Sequence, residues 1–239
     1  MNIALIFAGG TGQRMNSKST PKQFLKLHSK PIIVYTIEQF NDHPEIDGIV
    51  VACLASHINY MEQLKKQFSL DKIKAIVPGG ATGQESIYNG LAAIEEHFPA
   101  DSTVLVHDGV RPLIDDETIS ACIECVEKHG NAITVVSAQE TVVADCKEGM
   151  VGEILNRSRC QMARAPQCFK LNELIGCHRK AREENRDDFI DSASIMQNYG
   201  YELYTVEGKR ENIKITTPMD FYIFRAIIDV RENSQIFGL

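Results

Sequence analysis

The feature that most constrains this chain is a rhythm. Five short apolar runs, at residues 3–7, 48–54, 74–77, 103–107 and 132–137, alternate with amphipathic stretches of helical period. Apolar runs this short read as strands buried on both faces, and strands separated by helices predict βαβ units. The expected fold class is therefore α/β, a mostly parallel sheet with helices on both faces. Pro31 suits the first turn of a helix reaching about Phe40, with Ile33, Ile37 and Phe40 on one face. Residues 58–68 put Met61, Leu64 and Phe68 on one side. No internal repeat or Pro/Gly/Ser linker interrupts the pattern, so residues 1–239 are expected to form a single domain.

The first strand runs directly into Ala8-Gly9-Gly10-Thr11-Gly12-Gln13-Arg14-Met15, followed by Pro21-Lys22-Gln23-Phe24. Glycines let backbone N–H groups approach an anion, and Arg14 and Lys22 add fixed positive charge. Two familiar phosphate loops do not fit. A Walker loop needs Gly-Lys-Ser/Thr where the chain has Gly12-Gln13-Arg14. A dinucleotide fingerprint needs a third glycine at Met15 and an acid closing the second strand, which instead ends Cys53-Leu54-Ala55-Ser56.

Further motifs follow the later strands. Gly79-Gly80-Ala81-Thr82-Gly83 precedes a helix expected from about Gln84 to His97, with Ser86 early enough to cap it or to face a ligand. The fourth strand delivers Asp108 and Arg111, by themselves either an ion pair ordering a loop or part of a site. Asp115-Asp116-Glu117 suit a helix N-terminus. After Ser137 the rhythm breaks: residues 140–143 and 151–155, split by Glu148-Gly149, predict a hairpin projecting as an arm at about 138–162. Helices are expected over residues 171–184 and 191–199, a strand over 201–206, and a closing helix from Thr217-Pro218-Met219-Asp220 to about Arg231, the last residues fraying.

These blocks, with Arg157, Pro166-Gln167, Val206-Glu207-Gly208 and Asn212-Ile213-Lys214-Ile215-Thr216, resemble the cytidylyltransferases that make CDP-linked polyols. That family joins 2-C-methyl-D-erythritol 4-phosphate enzymes and ribitol-5-phosphate enzymes, and the resemblance spans nearly the whole chain. It implies a Rossmann-like sheet of the nucleotide-diphospho-sugar transferase type and transfer of CMP from CTP to a polyol phosphate, with release of pyrophosphate. It implies catalytic roles for Arg14, Lys22 and Lys214. It implies nucleotide binding by Ala8, Gly9, Gly10, Gly12, Gly80, Ser86, Asp108 and Arg111, the last holding its loop. Thr141, Arg157 and Lys214 would bind the polyol phosphate, the arm embracing a second subunit in a homodimer. Magnesium is expected to arrive mainly on the CTP phosphates, with no dedicated protein ligands. Asn156-Arg157 and Val110 are closer to ribitol-phosphate members. Ala81 stands where many members carry an acid, and Ala165 where they carry a threonine. The alternative acceptor is methylerythritol phosphate or another sugar or alditol phosphate.

Composition trims the rivals. A net charge of −7 excludes general nucleic-acid binding, while a small pocket needs only a few local cations. Seven cysteines without framework spacing, no apolar run near 18 residues and no leader-like start suggest a cytoplasmic protein without a membrane span. Cys122 and Cys125 read as core residues, not zinc ligands, and the seven histidines show no ligand spacing, His107 reading as a buried, satisfied imidazole. Arg159 and Arg164 read as a solvated basic patch. A nucleotidyltransferase using UTP, GTP or ATP and a non-catalytic nucleotide-binding module are the remaining classes. A dehydrogenase fails the loop tests.

Overall fold

The computed structural model describes residues 1–10 and 20–237, the side chains of 234–237 excepted. Its centre is a seven-stranded sheet built on β1 (Asn2–Ala8), β4 (Gly48–Cys53), β5 (Ile73–Pro78), β6 (Thr103–Asp108), β7 (Asn131–Ser137), β10 (Gln161–Lys170) and β11 (Thr205–Glu207). The spatial order is β11-β7-β10-β6-β1-β4-β5. Small hairpins pair β2 (Lys26–Leu27) with β3 (Lys30–Pro31) and β8 (Val142–Ala144) with β9 (Glu153–Leu155). The helices are α1 (Ile32–Asn41), α2 (Ile58–Gln67), α3 (Gly83–His97), α4 (Asp116–His129), α5 (Leu171–Glu183), α6 (Ser192–Asn198) and α7 (Pro218–Phe237).

Alternation along each strand sorts side chains between two faces. From β1, Ala4, Ile6 and Ala8 join a core with α1, α2 and α4. Ile3 and Leu5 join a second core with α3, α5 and α6. Helices thus cover both faces, as the run-and-helix rhythm predicts. A third cluster seats α7 through Phe224 against Leu27, Ile32, Val110, Leu113 and Ile215. Helix α7 therefore lies over the loop after β6, close to the site.

The strand β1 pairs in parallel with β4 on one side and β6 on the other. The chain builds outward from β1 through β4 to β5, then crosses back to β6. Beyond the carboxyl end of β1 lies the switch point where open α/β sheets bind ligands.

Helix starts follow local chemistry. Thr82 caps α3 by accepting from the Glu85 N–H, and Asp115 caps α4 by accepting from the Thr118 N–H. Asp191 forms a capping box with Ser194 at α6. Asp220 accepts from the N–H groups of Thr216 and Thr217 at the start of α7. Cys122 is buried beside Thr134 and the Cys125 thiol meets the Asn131 carbonyl, so the CxxC pair is structural. All seven cysteines are free, and among the described residues no helix is long and apolar enough to cross a membrane.

Four expectations change. The longest strand, β10, has no counterpart in the sequence pattern, because Arg164 and Pro166 interrupt its apolar run; it lies antiparallel between β6 and β7. The expected strand over 201–206 shrinks to Thr205–Glu207, since the Asn131 side chain donates to the Glu202 carbonyl and accepts from the Tyr204 N–H. Helix α7 continues past Arg231 to Phe237, there being no glycine or proline before Gly238. His107 is buried and meets the Arg111 carbonyl through Nε2, but its Nδ1 has no partner.

Two predictions follow from this packing. Phe169 is fully buried on β10, so Phe169→Ala should lower unfolding free energy by about 3–5 kcal/mol in urea titrations. A loss below about 1 kcal/mol would remove β10 from the core. Burial also pushes His107 and His178 down to about 4. Both are held neutral while the unfolded chain takes up protons below its ordinary value near 6.5. Stability should therefore fall as pH drops from about 6.5 towards 4, each histidine adding about 1.4 kcal/mol per pH unit to the slope. Urea midpoints that stay flat between pH 7 and pH 5 would contradict neutral burial.

Candidate active site

Two glycine turns meet at the carboxyl ends of β1 and β5. A Cβ built on Gly79 would stand 3.3 Å from the Cα of Gly9, and one built on Gly9 would stand 2.8 Å from the Ser86 hydroxyl. Only glycine permits this approach. The Ser86 hydroxyl then closes the junction, accepting from the Gly80 N–H at 3.0 Å and donating to the Thr82 carbonyl at 2.8 Å. Thr82, not Ser86, caps α3, and Ser86 lines the cavity while bracing its wall.

Gln23, which sequence reasoning passed over as part of a loop motif, sets the other edge. Its buried amide donates to the Ala8 carbonyl at 2.7 Å and the Gly10 carbonyl at 3.1 Å. Glutamine is needed because it can reach both carbonyls with one amide group. The resulting cavity, about 230 Å³, is lined by Ala8, Gly9, Gly10, Lys22, Gly80 and Ser86, and by Asp108 and Lys214 across the mouth. Arg14 and Gly12 lie outside the described residues.

Asp108 ends β6 and is the electrostatic joint of the site. Its Oδ2 accepts from Arg111 Nε at 2.9 Å and its Oδ1 lies 2.5 Å from Lys214 Nζ. Burial raises the carboxyl's pKa, but Lys214 and Arg111 override it and hold the group below its ordinary value. Arg111 is itself buried and donates to the Asn212 carbonyl. It ties the β6 loop to the 212–216 segment. Each Asp108 oxygen is thus engaged by one cation. Among the described lining residues of this cavity Asp108 is the one carboxylate.

A second cavity, about 290 Å³, shares Phe7, Gly83, Asp108 and Lys214 with the first and extends to β10 and α6. Gln84, His178 and Ser192 contribute to its wall, and each keeps one polar atom (Oε1, Nε2 and Oγ) buried out of reach and without a partner. Gln167, by contrast, is fully used, donating to Asp191 and accepting from the Ala193 N–H.

The arm forms as expected, β8 and β9 pairing antiparallel with Glu148 and Gly149 in left-handed conformation at its tip. Within one chain the structure does not bring Arg157 to the glycine cavity. Arg157 is exposed and donates to the Gln139 carbonyl at 2.8 Å. Thr141 lines a separate hollow beside the arm with Arg164 and Arg210. Lys22, Lys214, Asp108 and the glycines converge; Thr141 and Arg157 stand apart on the arm.

The comparisons with known proteins agree with this geometry. Residues 2–230 match the family model described as IspD, 2-C-methyl-D-erythritol 4-phosphate cytidylyltransferase. A ribitol-5-phosphate cytidylyltransferase of Vibrio parahaemolyticus is 52% identical over 238 residues, covering 100% of both chains. A 2-C-methyl-D-erythritol 4-phosphate cytidylyltransferase of Clostridium novyi is 36% identical over 229 residues, 95% of this chain and 96% of that one. The crystal structure of the Francisella tularensis 2-C-methyl-D-erythritol 4-phosphate cytidylyltransferase superposes with a TM-score of 0.76 at 28% identity, over 95% of this chain and 99% of that one. A glycine-lined switch-point cavity flanked by lysines, on a sheet shared with these enzymes, assigns the chain to its family: it belongs to the IspD family of cytidylyltransferases.

Proposed function

We propose that the protein transfers CMP from CTP to D-ribitol 5-phosphate, giving CDP-ribitol and pyrophosphate. The observation that carries this reading is the meeting of two chambers at Asp108 and Lys214, one walled by glycines and one lined by Arg111, Arg164 and Lys214. The glycine chamber takes the nucleotide, with Lys22 at its triphosphate and a catalytic role kept for Arg14 as the family resemblance implies. The second takes the polyol phosphate, whose negative charge its cations meet. The greater likeness to ribitol-phosphate relatives supports this acceptor over methylerythritol phosphate, the second reading, which the description of the family model favours.

The chemistry asks little of a base. An oxygen of the acceptor phosphate, dianionic near neutral pH, attacks the α-phosphorus of CTP in line, and the bond to the β-phosphate breaks to release pyrophosphate. The obstacle is repulsion between two anions, and it is met by positioning and fixed positive charge. Asp108 holds Lys214 at the junction, where its ammonium faces both phosphates. A magnesium ion, carried on the nucleotide, would neutralise phosphate oxygens, which are its natural ligands.

The arm exposes Met150, Val151 and Ile154, and an isolated two-stranded hairpin is marginal in water. We therefore take it to dock on a second copy, delivering Thr141 and Arg157 to the partner's acceptor chamber. We take the reaction to run in the cytoplasm, where CTP is supplied and free thiols persist.

Pyrophosphate release should appear with CTP and D-ribitol 5-phosphate and stay near background with UTP, GTP or ATP. Faster turnover of 2-C-methyl-D-erythritol 4-phosphate would move the assignment to the second reading. Lys22→Ala should lower kcat by on the order of 10²–10³ with an unchanged circular-dichroism spectrum. Near wild-type turnover would remove Lys22 from the site.

A further inference from the structure

Arg164 sits in the one irregular stretch of β10. The ladder with β7 is regular at Ala163 and again at Gln167, and the register shifts between them. Such interruptions next to active sites re-aim a side chain that regular pleating would send elsewhere. The result here is a half-buried guanidinium that lines two cavities at once. One is the acceptor chamber with Asp108, Arg111 and Lys214; the other is the hollow containing Thr141.

Among the described residues no carboxylate or hydrogen-bond acceptor pairs with Arg164. Its nearest charged influence is the like charge of Arg111, and burial together with that repulsion depresses its pKa. A solvated basic patch would show neither feature. The acceptor chamber carries three cations, Arg111, Arg164 and Lys214, against two carboxylates, Asp108 and Asp191. Both carboxylates are engaged: Asp108 by Arg111 and Lys214, Asp191 by Gln167 and the start of α6. A positive chamber in a chain of net charge −7 is built for an anion. The neighbouring Ala165 offers no side-chain donor. An arginine fork matches phosphate with two parallel N–H bonds, which a lysine cannot reproduce.

We propose that Arg164 is a phosphate-binding residue of the acceptor chamber, gripping the phosphomonoester of the incoming polyol phosphate from the β10 side while Lys214 faces it from the β6 side. This rests on the acceptor reading given above, and two measurements keep the two separable. In steady-state kinetics, Arg164→Ala should raise KM for D-ribitol 5-phosphate about ten- to a hundredfold, while KM for CTP stays within about twofold. Arg164→Lys should recover only part of the loss. An unchanged CTP affinity by calorimetry establishes that the variant is folded and its nucleotide chamber intact. In the second measurement, inorganic phosphate is titrated into the wild type and Arg164→Ala by calorimetry, without any turnover. Binding by the wild type that weakens at least tenfold in the variant supports the proposal, even should the enzyme transfer CMP to neither polyol phosphate, in which case the acceptor reading alone fails. Equal phosphate binding, absence of phosphate binding to the wild type, or an unchanged acceptor KM would overturn it.

Discussion

The structure depends on how closely the turns after β1 and β5 can approach. Gly9 and Gly79 touch backbone to backbone, with the Ser86 hydroxyl filling the corner between them. No side chain fits there, so the two turns form a single wall. That wall is useful only because β1 lies at the switch point, where no neighbouring helix plugs the end of the strand. Gln23 pins the open side, by holding two carbonyls of the turn after β1 with its amide.

Charge is organised by a similar economy. Asp108 lies between Arg111 and Lys214, which come from the loop three residues on and from a segment more than a hundred residues later. The pair is buried on one side and half exposed on the other. Arg111 is enclosed and structural, whereas Lys214 remains open to both chambers. A buried carboxylate with one structural and one functional partner thus fixes a cation in space without neutralising the chamber around it. Losing the carboxylate would leave Arg111 enclosed without its counter-charge, which is why such a joint is costly to break.

Much of this was legible beforehand because local chemistry and periodicity agreed. All five apolar runs are strands, differing by a residue at their ends, and Ile33, Ile37, Phe40, Met61 and Leu64 are buried as their spacing requires. The hairpin at Glu148-Gly149 and the cap at Asp191 formed as their residue types demand. Strand β10 was hidden for an equally physical reason. An arginine and a proline inside a strand look like a break, and here they mark the irregular stretch beside the site. The same irregularity concealed Arg164, whose side chain reads as surface until β6, β7 and β10 are brought together.

The amino-acid sequence alone determined the α/β class, the helix starts, the glycine turns and the cations Lys22 and Lys214. Each follows from residue type and short-range spacing, which act within a few positions of the chain. Tertiary structure decided which of these groups meet. It set Gly9 against Gly79, joined Asp108 to Lys214 from a distant segment, braced the wall with the Ser86 hydroxyl and left Arg157 on the arm. Those outcomes depend on the order of strands in the sheet, and strand order is settled by burying all the helices at once, a constraint that no local stretch of sequence carries.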